Sequence, residues 1–190
     1  MNRFRCYWYQ LMIAHDTNFI IKRKITPASR LVITALLGSL ATIFQSAGNL
    51  IPGIGLFISP FSTLPIFLAI CYSIREGVLS YILTIFLLFI IQPSELIVFP
   101  FTTGLLGIAL GASFLRFKRR IWIVSFSAIC LLIGIIIVLD IFRFPVLGPM
   151  VHTTMDIKVI TLIFILSFLY CWIFAELCRI IVNRVYKVWS

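Results

Sequence analysis

The sequence predicts an all-α, polytopic integral membrane protein with six transmembrane helices in one bundle and both termini cytoplasmic. Three observations lead there. The first is composition: 62% of the 190 residues are hydrophobic and 12% charged, with a mean hydropathy of +1.13, and a soluble domain of this size has nowhere to put that surface. The second is the recurrence of apolar stretches at 30–46, 54–74, 77–92, 96–115, 121–140 and 158–182, set against the roughly 20 residues that span a hydrocarbon core about 30 Å thick. The third is charge: fourteen of the sixteen Lys and Arg residues fall at the termini or in alternate connections, and only Arg143 and Lys158 fall in the others. Basic residues near span ends are retained on the cytoplasmic side, so this split requires an even number of spans.

Residues 1–29 form a basic, aromatic segment, cytoplasmic or interfacial. Its apolar run, Cys6 to Ala14, is short, broken by Gln10, and lacks a small-residue cleavage pattern, so it does not read as a signal peptide. Tyr7, Trp8 and Tyr9 beside Arg3 and Arg5 suit the headgroup level. The transmembrane domain, 30–182, begins with a span carrying two lines of small and polar residues. One is Ala35, Ser39, Thr42 and Ser46; the other is Gly38, Thr42, Gln45 and Asn49. Such lines let backbones approach closely, either within the bundle or against a partner membrane protein. Packing is the default reading, and Ala35, Gly38, Ser39 and Thr42 are the candidate docking positions.

A Pro52-Gly53-Ile54-Gly55 turn leads to the second span, where Ser59, Ser62 and Thr63 lie on the outer half between Pro60 and Pro65. The third span is the shortest, closed by Arg75-Glu76 and Gln92-Pro93. Thr102 and Thr103 follow Pro100 in the fourth, and Gly107 and Gly111 make a G-x-x-x-G that places this span against a close neighbour. Arg116, Lys118, Arg119 and Arg120 precede the fifth span, and a long outer connection holds Asp140, His152 and Asp156. The sixth span carries Tyr170, Trp172 and Glu176, the last with Arg179 three residues on for an ion pair, and residues 183–190 form a basic tail.

Several chemistries lack their residues. No Gly-rich loop followed by Lys-Ser/Thr is present to cradle ATP phosphates, and His15 and His152 belong to no His-Glu-x-x-His helix. The five cysteines show no paired or metal-like spacing. The basic residues lie at the ends of separate spans rather than on one face with aromatic platforms, which argues against nucleic acid. The acids map near span ends, not at the midplane where ion-coupled carriers keep them. The expectation is a protein without catalytic residues, metal or cofactor, so that active transport would draw its energy from another chain. His152 reads as a solvated loop residue.

The polar groups on the outer side form the candidate ligand site: Gln45, Asn49, Ser62, Thr63, Gln92, Glu95, Thr102 and Thr103. Proline and glycine at this depth free backbone groups that only protein or a hydrated cavity satisfies, and an apolar wall with a few converging polar groups suits a small molecule. Tyr170 and Trp172 are candidates for its floor. The competing reading is that these residues cap helices and wet the outer rim.

The small size, the six spans with both ends inside, the small-residue first helix Ala35-Leu-Leu-Gly-Ser-Leu-Ala41 and the stretch from Asn49 to Gly111 together resemble the substrate-binding S components of energy-coupling factor (ECF) transporters, a bacterial vitamin-uptake family. The resemblance covers most of 30–182 and is one of architecture. It implies a multi-pass protein of the bacterial plasma membrane with an outward-facing pocket for a vitamin or related micronutrient, closed by the loop around Ala47 to Gly55. It also implies docking through the first helix onto a transmembrane coupling subunit driven by two cytoplasmic ATPases. The family's Ala-x-x-x-Ala face maps onto Ala35 and Ser39, where serine replaces the second alanine. An accessory or assembly membrane protein without a ligand is the alternative; a lipid-handling protein ranks below it, because no acid pair or metal-ligand set faces the bilayer surface.

Overall fold

Thr26 and Pro27 start the first helix: the Thr26 side chain accepts a 3.4 Å hydrogen bond from the Ser29 amide, and proline at the first helical position needs no partner for a missing N–H. The computed structural model describes Trp8 and residues 26–51, 53–140 and 157–189. Helix α1 runs Pro27–Leu50, α2 Gly55–Ile58, a 3-10 turn Ser59–Ser62, α3 Thr63–Tyr72, α4 Ile74–Ile91, α5 Glu95–Phe101, α6 Thr103–Arg116, α7 Arg120–Asp140 and α8 Ile157–Trp189. Gly53, at φ +83°, supplies the left-handed residue that turns the chain after α1.

Five stretches are long and apolar enough to cross a membrane: Pro27–Leu50, Ile74–Ile91, Glu95–Arg116, Arg120–Asp140 and Ile160–Arg184. Ser59–Tyr72 is a shorter apolar helix. The chain is thus a multi-span α-helical membrane bundle, with helices in all six predicted stretches. The second is shortened because Pro60 sits in a tighter 3-10 turn, and the fourth is broken at Thr102, whose φ of −116° and ψ of −96° leave the helical region.

Small residues set the packing. α6 lies on α3, where a Cβ at Gly107 would come within 2.8 Å of Ile66 and one at Gly111 within 2.5 Å of Ile70. That is the close neighbour the G-x-x-x-G implied. α1 lies on α4 and on the 3-10 turn, α3 also packs on α4, and α7 bridges α6 and α8. Phe67, Leu106, Leu110, Val124, Cys171 and Cys178 are central to the larger core; Ala41, Ile66, Leu88 and Phe99 form a second. Leu31, Leu36, Ile43, Phe89, Ile90 and Trp122 are exposed, as expected where the outer surface meets lipid tails rather than water.

Two charged residues sit differently from what their sequence positions suggest. Arg120, grouped above with a basic connection, is only 1% exposed and pairs with Glu176 at 2.7 Å, fastening the start of α7 to α8. Arg179 pairs with the same carboxylate at 3.4 Å, the i,i+3 contact expected from spacing. Glu76, expected near a span end, is buried and accepts a 2.8 Å hydrogen bond from Thr34 Oγ1 across the α1–α4 contact. Trp8 packs against Phe168 and Trp172 near the middle of α8, with ring centroids 5.8 and 6.1 Å away. The rest of the aromatic N-terminal segment, and the connection holding Arg143 and His152, lie outside the described residues.

Candidate functional site

The end of α1, the 3-10 turn and the starts of α5 and α6 meet in one polar network. Glu95, at the first turn of α5, is acceptor-only when ionised, so amide nitrogens must face it. Gln45 Nε2 donates to its Oε2 at 2.7 Å and Asn49 Nδ2 to its Oε1 at 2.9 Å. That orientation turns the Gln45 carbonyl toward two hydroxyls: Ser62 donates to Oε1 at 2.7 Å and Thr103 at 2.8 Å. Asn49 Nδ2 also donates to Ser94 Oγ at 3.0 Å, and Thr63 Oγ1 to the Thr103 carbonyl at 3.3 Å. Gln45 is 1% exposed and both acceptor positions of its carbonyl are filled.

The helix break beside this network is covered by side chains that bond two of its carbonyls. Pro100 lies inside α5; the Tyr81 hydroxyl donates to its carbonyl at 3.1 Å, and the Tyr81 ring stacks on Phe99. Thr102 Oγ1 donates to the Val98 carbonyl at 2.7 Å. The Phe101 carbonyl abuts α7 at Gly134, where an added Cβ would fall 1.8 Å from that oxygen. Irregular backbone at membrane depth survives only under such protein cover.

On the other side of the break a cavity of about 210 Å³ separates it from α7 and α8. Its wall is almost wholly apolar, with Leu131, Ile135 and Ile163, and Thr102, Thr103, Ser167 and Tyr170 are among the residues that line it. Ser167 Oγ is buried and has no hydrogen-bond partner among the described residues. Tyr170 lies within reach of the Thr63 side chain. Leu166, 47% exposed, marks a rim at the bundle surface.

The eight candidate ligand residues therefore fall into groups. Gln45, Asn49, Ser62, Thr63, Glu95 and Thr103 are joined by hydrogen bonds; Thr102 and Thr103 line the cavity; Gln92 joins neither, and its buried Oε1 has no partner. Tyr170, a candidate floor residue, lines the cavity, whereas Trp172 packs on Trp8.

The candidate docking residues also divide. Gly38 is buried against Leu83 and the Ser80 carbonyl of α4, and its own carbonyl accepts from Thr42 at 2.9 Å and Thr84 at 3.1 Å. Ala35 is exposed and Ser39 half-exposed, with the Ser39 hydroxyl turned back to the Ala35 carbonyl at 2.7 Å. Ser94 is one of the outer polar residues of the sequence, beside Gln92 and Glu95, though outside the candidate ligand set; Ser167 was not singled out from sequence. Ser167 is a lone hydroxyl in an apolar run, and its signal is the i,i+3 spacing to Tyr170, which puts both on one helix face.

No group of three or more His, Cys, Asp or Glu suited to a metal exists among the described residues. No protein-family model, curated protein or solved structure matches the chain.

Proposed function

We propose that the protein is a six-span membrane-embedded binding subunit, both termini cytoplasmic, that captures a small molecule for uptake and is energised in trans by a separate ATPase module. It is the role that the resemblance to ECF S components implies. The observation that carries the reading is the cavity at the α5–α6 break: an apolar wall to which Thr102, Thr103, Ser167 and Tyr170 contribute, the buried Ser167 hydroxyl having no hydrogen-bond partner among the described residues. Such a site suits an apolar ring with one or two polar substituents. Since an apolar cavity of roughly 150 Å³ holds benzene, about 210 Å³ accommodates a single substituted ring. A larger vitamin would place only its ring there and extend past Leu166. No catalytic role is assigned, and coupling to a partner falls to the outward Ala35–Ser39 side of α1.

The test is occupancy. Protein purified gently from its native membrane should carry a small molecule identifiable by mass spectrometry, and adding that compound at 100 times its Kd should stabilise the fold by about 2.7 kcal/mol. Ser167→Phe, which fills the cavity, should abolish both effects while the protein still folds. The reading fails if no ligand is found and no ATPase subunits co-purify. The accessory-protein alternative rests on one observation, that Gln45 is already satisfied within the protein; it predicts that absence.

A further inference from the structure

A second cavity, of about 450 Å³, lies at the other end of α1, between the first turns of α1 and α4. Gln45 is fifteen residues from Arg30 along α1, about 22 Å at helical rise, so this cavity is separate from the polar network. It is lined by Pro27, Arg30, Leu31, Arg75, Glu76 and Leu79. The guanidinium Nε of Arg30 is buried with no hydrogen-bond partner, and no ion pair joins Arg30 or Arg75 to a carboxylate among the described residues. Glu76, 8% exposed, accepts at Oε2, among the described residues, from Thr34 Oγ1, a hydroxyl whose one proton is shared with the Arg30 carbonyl 2.9 Å away. Two helices also start here, α1 and α4, and Ser73 contributes no side-chain cap to α4; helix N-termini favour negative charge.

Half-buried Arg30 and exposed Arg75, with no ion-pair partner among the described residues, line this cavity together with a nearly buried carboxylate, and the two signs of charge call for opposite partners at once. A phosphate alone satisfies the arginines but repels Glu76, and an amine alone does the reverse. We infer that this cavity binds a phosphoethanolamine group, its phosphate held by Arg30 and Arg75 and its ammonium by Glu76, and that the group belongs to a membrane phospholipid. Arginine forks match phosphate oxygens, and a primary ammonium donates to a carboxylate in a charge-assisted bond. The lipid source follows from the flanks: Leu31 is 61% exposed and Leu79 39%, apolar surface on which acyl chains can lie. The inference does not depend on the cavity at the α5–α6 break.

The test uses the full-length protein in detergent micelles, titrated with phosphatidylethanolamine, phosphatidylcholine or phosphatidylglycerol of identical acyl chains, with bound lipid counted by native mass spectrometry. Phosphatidylethanolamine should be retained at least about tenfold over phosphatidylcholine, whose methylated amine has no proton to donate, the low end for one charged hydrogen bond. Glu76→Gln, which keeps an acceptor for Thr34, should remove that preference and raise phosphatidylglycerol binding above wild type. A misfolded variant cannot gain a ligand. Arg30→Gln should weaken all three lipids. Equal retention of phosphatidylethanolamine and phosphatidylcholine by wild type, or an unchanged preference in Glu76→Gln, would overturn the site. Displacement of bound lipid by soluble glycerophosphoethanolamine at matched concentration would overturn the lipid assignment.

Discussion

Replacing Gln45 by leucine tests whether the polar network holds the outer end of the bundle together. The side chain is 1% exposed and makes three hydrogen bonds to three other elements. Interhelical hydrogen bonds in membranes average about 0.6 kcal/mol, so simple addition gives about 2 kcal/mol. The partners left behind raise that figure. Ser62 is fully buried and loses the one acceptor it has among the described residues, at a cost of about 1–3 kcal/mol unless it turns to a helix carbonyl. Glu95 keeps Asn49 alone. Leucine returns some apolar packing, and the expected net loss is about 2–4 kcal/mol. Reversible unfolding in mixed micelles with increasing SDS measures it, with Ser39→Ala as an outward control near zero. A double-mutant cycle with Ser62→Ala should give a coupling of about 1 kcal/mol. A loss below about 0.5 kcal/mol for Gln45→Leu would refute the reasoning, because it would mean that the network's partners find equal bonds without it.

Three further outcomes follow from the packing. Gly134→Val puts a branched side chain against the Phe101 carbonyl, and should cost at least about 1–3 kcal/mol in the same unfolding assay, the scale of overpacking. Arg120→Met removes the 2.7 Å partner of Glu176 and leaves the longer 3.4 Å contact with Arg179; because Glu176 is 27% exposed, the loss should fall short of the 3–5 kcal/mol of a fully buried broken pair, at about 2 kcal/mol, and Arg120→Met with Glu176→Leu should recover most of it. Ser39→Leu, on the half-exposed side of α1, should leave the melting temperature and ligand occupancy unchanged and reduce uptake in cells, while loss of folding would show that this side is internal packing.

How much of this was legible in the sequence depended on the range of the interaction. The six apolar stretches announced their helices because burial in lipid demands a local, continuous pattern. Gly107 and Gly111 announced a close neighbour for the same reason, though the identity of that neighbour, Ile66 and Ile70 of α3, is a matter of tertiary packing. The convergence of Gln45, Asn49, Ser62, Glu95 and Thr103 could be anticipated because each sits at the same end of its span, which fixes depth without fixing partners. What stayed hidden were pairings across helix faces. Arg120 reads as one more cation in a basic connection until α8 brings Glu176 to it. Gly134 reads as an isolated glycine in an apolar helix until α7 meets the broken turn at Phe101. Depth is written in composition; azimuth around a helix is only weakly written there, since lipid-facing and core-facing side chains are equally apolar.

That distinction bears on Thr103, which faces two ways. Its hydroxyl donates to Gln45 at 2.8 Å, and the same residue lines the cavity behind the helix break. A hydroxyl has one proton to give. A ligand whose acceptor takes that proton removes one of the two donors on the Gln45 carbonyl, leaving Ser62 alone there. The network joins the end of α1, the 3-10 turn and the starts of α5 and α6, and the first two lie on either side of the turn at Gly53 in the chain. Ligands that accept from Thr103 should therefore loosen that turn, and ligands that engage only Ser167 should leave it intact. Hydrogen exchange of the amides at 47–55, compared between two such ligands, separates the cases: equal protection would show that the cavity and the network are energetically independent despite sharing a residue.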